Sequence, residues 1–246
     1  MLAGCSGSID TAGLKPGIVG TGCPSHEVTT GMTISFDFAA LSGPQRYKLL
    51  CGLVVPRPIA LITTVSPDGV VNAAPFSFFN VFSEDPPLVV VGLQAKADLS
   101  LKDTTQNIRA NGLFVVNMVD EALATAMADC AISFPADIGE PEALQLPMSA
   151  GLYVPVPHLA AAPAALECRK VTMMNFGAGR DLLVGEVLGI QVRDGVVDPA
   201  TLRTDYERYL PIGRIAGTTY ARIHEHFEIK PGTFESWQNR QIPARN

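Results

Sequence analysis

Lys102-Asp103-Thr104-Thr105 stands where a helical pattern begins, with Leu101, Thr105 and Ile108 recurring at helical spacing. A helix start presents backbone N–H groups without intrahelical partners, together with the positive end of the helix dipole, and so attracts phosphate. Lys102 adds a full positive charge, and Thr104 and Thr105 add hydroxyl donors. Ser100-x-x-Asp103 has the form of a capping box, weaker than one closed by Glu. The same residues also suit an ordinary capped surface helix with a solvated lysine. Upstream runs Asn72-Ala73-Ala74-Pro75-Phe76-Ser77-Phe78-Phe79-Asn80. Small residues such as Ala74 let a backbone approach a flat ring. Asn72, Ser77 and Asn80 can donate to or accept from the polar edge of such a ring. Phe76, Phe78 and Phe79 offer apolar walls, and Pro75 has no N–H to leave unpaired. The plainer alternative is a strand-to-loop transition whose phenylalanines enter the core. Arg57 lies between Pro56 and Pro58, where the backbone is held extended; an arginine so placed usually faces solvent. Taken together, these groups are what a phosphorylated, planar cofactor needs.

The elements that must position them are mostly short strands. Pro58 to Val65 and Val70 to Ala74 are apolar, β-branched runs, and Ser66-Pro67-Asp68-Gly69 between them has Pro and Gly where a tight turn wants them. A polar, aromatic-flanked loop is expected between this hairpin and the next strand. Leu88 to Leu93 follows Pro86-Pro87 as a continuous apolar strand, and Leu113 to Val119 is introduced by Asn111-Gly112. Ala165 to Met174 and Leu182 to Arg193 add two more strands. Tyr220 to Ile229 alternates apolar and polar residues and predicts another. Helices are expected over Phe36 to Cys51, with Ser42-Gly43-Pro44 opening its better half, and over Asp120 to Ile132. Residues 134–163 are proline-dotted and irregular. The pattern favours a mostly β chain, a small barrel with helical insertions, over a βαβ sheet. Residues 32–246 are expected to form one domain, and residues 1–31, rich in Gly, Ser and Thr, a flexible N-terminal extension.

Composition narrows the function classes. With 47% hydrophobic and 17% charged residues, the chain falls outside the disordered class. No run approaches the roughly twenty apolar residues of a membrane helix. A net charge of -6 gives no general attraction to nucleic acid or anionic lipid, so a phosphate site must be built locally. The five cysteines are widely spaced, without C-x-x-C or paired Cys/His spacing, which argues against zinc and for reduced thiols in the cytoplasm. Leu2-Ala3-Gly4-Cys5 spells a lipoprotein-type cleavage box, but only Met1 precedes it, where a signal needs a basic start and an apolar stretch. His224 and His226 share one face of the alternating segment without an evident third ligand, so a surface strand accounts for them better than a metal site; no metal is expected. His158 has no visible partner. There is no P-loop, no G-x-G-x-x-G and no arguable Ser-His-Asp order, so any nicotinamide cofactor must bind transiently, not on a Rossmann half.

The run from Pro56 to Gln94, followed by Lys102-Asp103-Thr104 and Asn107-Ile108, resembles the flavin reductase-like, FMN-binding split-barrel proteins, and the resemblance covers roughly Arg46 to Arg222. It implies a Greek-key split β-barrel. It implies flavin phosphate contacts at Lys102, Asp103 and Thr104, and a flavin lined by Thr63, Thr64, Asn72, Ala74, Pro75, Ser77, Phe78 and Asn80. Arg57 is implied to lie close to the flavin or its phosphate. Leu210 to Tyr220 resembles the closing segment that reaches the flavin edge or a dimer partner, with Ala216-Gly217 where relatives often carry Gly-Gly. The implied activity is an NAD(P)H-dependent FMN reductase, with NADH or NADPH as transient donor. The implied assembly is a homodimer, and the implied partner a flavin-dependent monooxygenase. The competing readings are a flavoredoxin-like electron-transfer flavoprotein that holds FMN tightly and takes electrons from a protein donor, and a flavin-binding module without turnover.

Overall fold

The computed structural model describes residues 33–177 and 179–241. The N-terminal extension and its Leu2-Ala3-Gly4-Cys5 box lie outside the described residues. The chain divides at Leu41, and all regular elements lie in the unit that begins at Ser42. The helix expected from Phe36 starts only at Gly43: α1 (Gly43–Leu53) opens where Gln45 Oε1 accepts from both the N–H and the hydroxyl of Ser42, at 2.8 and 2.9 Å. β1 (Ala60–Val65) and β2 (Val71–Phe76) form the expected hairpin, with Ser66 and Val70 closing its turn. β3 (Phe79–Glu84) pairs with β4 (Pro87–Gln94). The stretch read as a loop is therefore half strand, held extended by its partner.

α2 (Asp103–Asn111) follows, ended by Gly112 in the left-handed region at φ 76°, and leads into β5 (Leu113–Met118). An insertion then carries α3 (Ala124–Asp129), α4 (Glu140–Ala143) and a two-residue ladder of β6 (Met148–Ser149) with β7 (His158–Leu159). The long hairpin of β8 (Ala164–Asn175) and β9 (Arg180–Val192) completes the sheet. After α5 (Tyr206–Tyr209), β10 (Ile212–Arg214) pairs with β11 (Tyr220–Arg222), and α6 (Phe234–Gln241) ends the described chain. The strand expected over Tyr220 to Ile229 stops at Arg222: beyond it the alternation persists without a partner strand, and Phe227 and Ile229 stand exposed.

The sheet is antiparallel in the order β2-β1-β5-β8-β9-β4-β3. Its two edges, β2 and β3, are consecutive in the chain and joined only by Ser77 and Phe78. A seven-stranded sheet whose edges are two residues apart must curl onto itself, yet no ladder joins β2 to β3. The result is a split barrel. Ala60, Ile62, Phe76, Phe79, Val91, Phe114 and Leu183 fill its interior, with Ile108 of α2 among them. Alternate residues Ile59 and Leu61 turn outward into a second core with Val119, Leu123, Met127 and Leu159 of the insertion. β1 is thus buried on both faces, which accounts for its uninterrupted apolar run.

Candidate flavin-family site

The seam of the barrel is also where the polar residues collect. Asn72 Nδ2 donates to Thr104 Oγ1 at 2.8 Å, which ties β2 to the first turn of α2. The expected Ser100 cap does not form: Ser100 gives its N–H and hydroxyl to Asp98 Oδ1 instead, at 3.0 and 2.6 Å. Lys102 takes the N-cap position with extended backbone and no side-chain cap bond, and the first helical bond runs from Gln106 N–H to the Lys102 carbonyl. The N–H groups of the first turn are therefore not closed by a capping side chain. Lys102 is partly buried, its ammonium 5.6 Å from the centre of the Phe76 ring, and it forms no ion pair among the described residues. Burial, and then the charge of nearby Lys96, lower its pKa below that of an ordinary lysine. Asp103 turns to Lys96, 3.5 Å away.

Three adjoining cavities share Pro75. One, of about 180 Å³, lies between Lys102, Thr104, Asn72 and Ala74 on one side and Cys130 to Phe134 with Glu140 on the other. The second, of about 240 Å³, runs past Phe76, Ser77 and Phe78 to Gly92 and Phe176, with Lys102 again on its wall. The third, of about 510 Å³, opens between Tyr47, Phe76, Ser77, Met127, Arg214 and Tyr220. A fourth cavity of about 550 Å³ lies across Asn72 and is walled by Asp68, Asp103, Asp137 and Glu140, with no lysine or arginine on its wall. Glu140 is buried and accepts the Ala73 N–H at 2.9 Å; its burial raises the carboxyl above the usual carboxylate range.

The structure brings together Asn72, Ala74, Pro75, Ser77, Phe78, Lys102, Asp103 and Thr104 along these cavities. It does not bring Thr63 or Thr64 into them. Both are fully buried; Thr63 Oγ1 donates to the Pro157 carbonyl at 2.7 Å and Thr64 Oγ1 accepts from Asn107 at 3.0 Å. Arg57 is not solvent-facing. Its guanidinium donates to the carbonyls of Cys51, Val54 and Ile215, fastening the end of α1 to the segment after β10. Arg57 and Asn80 line a separate cavity with Ser77 and Phe78. Tyr47 and Glu140 join the groove from distant parts of the chain, and Lys96 from the link between β4 and α2, with no local pattern to announce them. Arg214 and Tyr220 come from the closing segment already singled out.

The model of the flavin reductase like domain matches residues 52–211, well over half of the chain. The chain belongs to the flavin reductase like family. An uncharacterized protein of Deinococcus radiodurans is 40% identical over 211 residues, covering 83% of this chain and 92% of its own. Among solved structures, this flavin reductase like chain is similar to the 2-nitrobenzoate 2-nitroreductase NbaA of Pseudomonas fluorescens, with 33% identity, a TM-score of 0.75, and coverage of 87% of this chain and 100% of that one. It is equally similar in sequence, at 33% identity, to nitrilotriacetate monooxygenase component B from Bacillus cereus, with a TM-score of 0.77 and coverage of 81% and 100%. Membership of the flavin reductase like family agrees with the split barrel.

Proposed function

We propose that the chain is an FMN-binding flavin reductase that passes hydride from NADH or NADPH to FMN and supplies reduced flavin to a partner monooxygenase. One observation carries this reading: a partly buried Lys102 with no ion pair among the described residues, beside an uncapped α2 N-terminus, at the end of a groove walled by Pro75, Phe76 and Ser77, in a flavin reductase like chain. These residues fit a phosphorylated flavin. Lys102, Thr104 and the first N–H groups of α2 hold the phosphate, with Asp103 kept aside by Lys96. Asn72, Ala74, Pro75, Ser77 and Phe78 line the ring, while Thr63 and Thr64 act from behind it as buried supports. Arg57 and Asn80 belong to the rim beyond Phe78. When bound, the flavin supplies the redox chemistry; the protein's part is binding, orientation and exclusion of water, and no side-chain acid or base is required. A relative at 33% identity is a monooxygenase component, which supports an oxygenase as the acceptor's source. Two copies are proposed to pair through the exposed edge of β3.

The test is to purify the protein, titrate FMN, and follow NADH and NADPH oxidation anaerobically. Bleaching of the bound flavin by either nucleotide is the expected result. Bound flavin that stays oxidised would favour the flavoredoxin-like reading, and failure to bind any flavin would refute both.

A further inference from the structure

We propose that Arg214 forms a second anion subsite in the same groove, and that it holds the phosphate or carboxylate group of the molecule with which the flavin exchanges electrons. The identity of that molecule as an electron donor or acceptor rests on the reductase reading; the anion subsite itself does not.

The largest of the three adjoining cavities, about 510 Å³, is not needed for a phosphate at Lys102, and it carries its own cation. Arg214 lies on its wall, its guanidinium carbon 4.5 Å from the centre of the Tyr220 ring. Two of its N–H groups are given to the Tyr220 hydroxyl and the Gly217 carbonyl. An arginine has five such donors in a planar fork, so the rest stay available for an oxyanion. Arg109, Arg169, Arg193, Arg208 and Arg222 each sit against a carboxylate, whereas Arg214 has none among the described residues. Arg57 also has no carboxylate among the described residues, but it spends its guanidinium on three carbonyls, whereas Arg214 is half-buried and faces an open cavity.

The position is also held. Arg214 and Arg57 exchange two backbone hydrogen bonds at 2.9 and 2.8 Å, and Arg57 is itself fixed by three carbonyls. Beside the cation, Tyr47 and Ile59 supply apolar wall, and Met127 and Ala131 an apolar floor. That combination suits a flat ring with an anionic group at one edge. Phosphate on a nicotinamide nucleotide and carboxylate on an aromatic acid both satisfy it. Lys102 and Arg214 therefore divide the groove, one cation for each of two ligands that meet along Pro75 to Ser77.

The test is calorimetric titration of NADH, NADPH and benzoate into the full-length protein, with and without FMN, for the parent, Arg214→Ala, Arg214→Lys and Lys102→Ala. At least one probe is expected to bind the parent. Its Kd should rise about ten-fold or more in Arg214→Ala, the usual size for a charge-assisted contact. Arg214→Lys should lose less, since it keeps the charge but not the fork. FMN affinity should stay within about two-fold in Arg214→Ala yet fall in Lys102→Ala. Which probe responds tells phosphate from carboxylate. The proposal is overturned if no probe binds the parent at millimolar concentration, or if the bound probe ignores Arg214. It is also overturned if Arg214→Ala costs as much FMN affinity as Lys102→Ala. Should Arg214→Ala fail to fold, Arg214→Lys and Arg214→Gln carry the same comparison. If the parent binds no FMN while a probe still depends on Arg214, the reductase reading fails and the subsite stands.

Discussion

At Lys102 the charge is held at a cost that a bound phosphate would relieve. Burial and the neighbouring Lys96 both oppose the ammonium, so its pKa is lowered, and an anion beside it raises it again. Lys102→Ala should weaken FMN binding by about 1–3 kcal/mol, measured by fluorescence or calorimetric titration; unchanged affinity would rule out the phosphate assignment. The sign of the pH dependence follows. Bound protein holds the Lys102 proton more tightly than free protein, so FMN affinity should fall as pH rises past the lowered pKa of the free state. It should also fall below about pH 6, where the phosphate takes up its second proton. Glu140 acts in the opposite sense. Its carboxylate lines the same small cavity, and Glu140→Gln should tighten FMN binding by up to about 1 kcal/mol while the amide oxygen still accepts from Ala73. Because burial raises the Glu140 carboxyl, the folded protein binds that proton more readily than the unfolded chain. Stability should therefore drop as pH rises from the ordinary carboxylate value to the raised one, and denaturation of Glu140→Gln should lack that drop.

Among the elements, the β8–β9 hairpin holds the insertion through one carboxylate. Glu167 is fully buried on β8 and accepts from the N–H groups of Leu152, Tyr153 and Val154 and from the Gln191 amide, at 2.7 to 3.0 Å. Burial alone would raise its carboxyl, but these donors prevail and hold it below the usual range. Glu167→Gln should cost about 2–3 kcal/mol in chemical denaturation, since one acceptor oxygen becomes a donor facing donors. The stabilisation it lends is complete above the unfolded carboxylate value and is lost as pH falls through the depressed folded one. What the sequence showed at this scale, and what it hid, follows from which contacts are local. β1, β2, β4, β5, β8, β9 and α2 were legible because hydrophobic period and turn residues are local signals. β3 was hidden because Asn80, Ser83 and Glu84 dilute its pattern, and its extension comes from pairing with β4. Residues 223–229 erred the other way, alternating without a neighbour to pair. In the site, Lys102, Asn72 and Pro75 to Ser77 lie in legible segments. Thr63 and Thr64 were misplaced relative to the groove because their burial depends on Pro157 and Asn107. Glu140 and Tyr47 reach the groove only through the fold.

For the molecule as a whole, the decisive feature is that the barrel closes without a ladder at its seam. The groove occupies that gap, and closing it with a β2–β3 ladder would remove the groove. The same split leaves β3 as an edge strand, and edges with free backbone groups invite another chain. Native sequences usually blunt such an edge with charge, yet β3 presents Val81 at 66% and Phe82 at 68% exposure. The end of α1 continues the apolar surface: Leu50 and Val54 line one cavity with Phe78 and Val90, and both are more than half or half exposed. An uncovered patch of this kind on a chain with a net charge of -6 marks an interface more readily than a solvent face. The proposed pairing of two copies through β3 therefore predicts a dimer by light scattering at micromolar concentration. Val81→Asp combined with Phe82→Asp should shift it to monomer, because two charges per chain would be buried without partners. A parent that is monomeric across the same range would refute the pairing. If the double variant becomes monomeric and also loses FMN affinity, the flavin lies near the subunit boundary. If it keeps that affinity, the groove of one barrel suffices to hold the flavin, and pairing serves only to cover the edge.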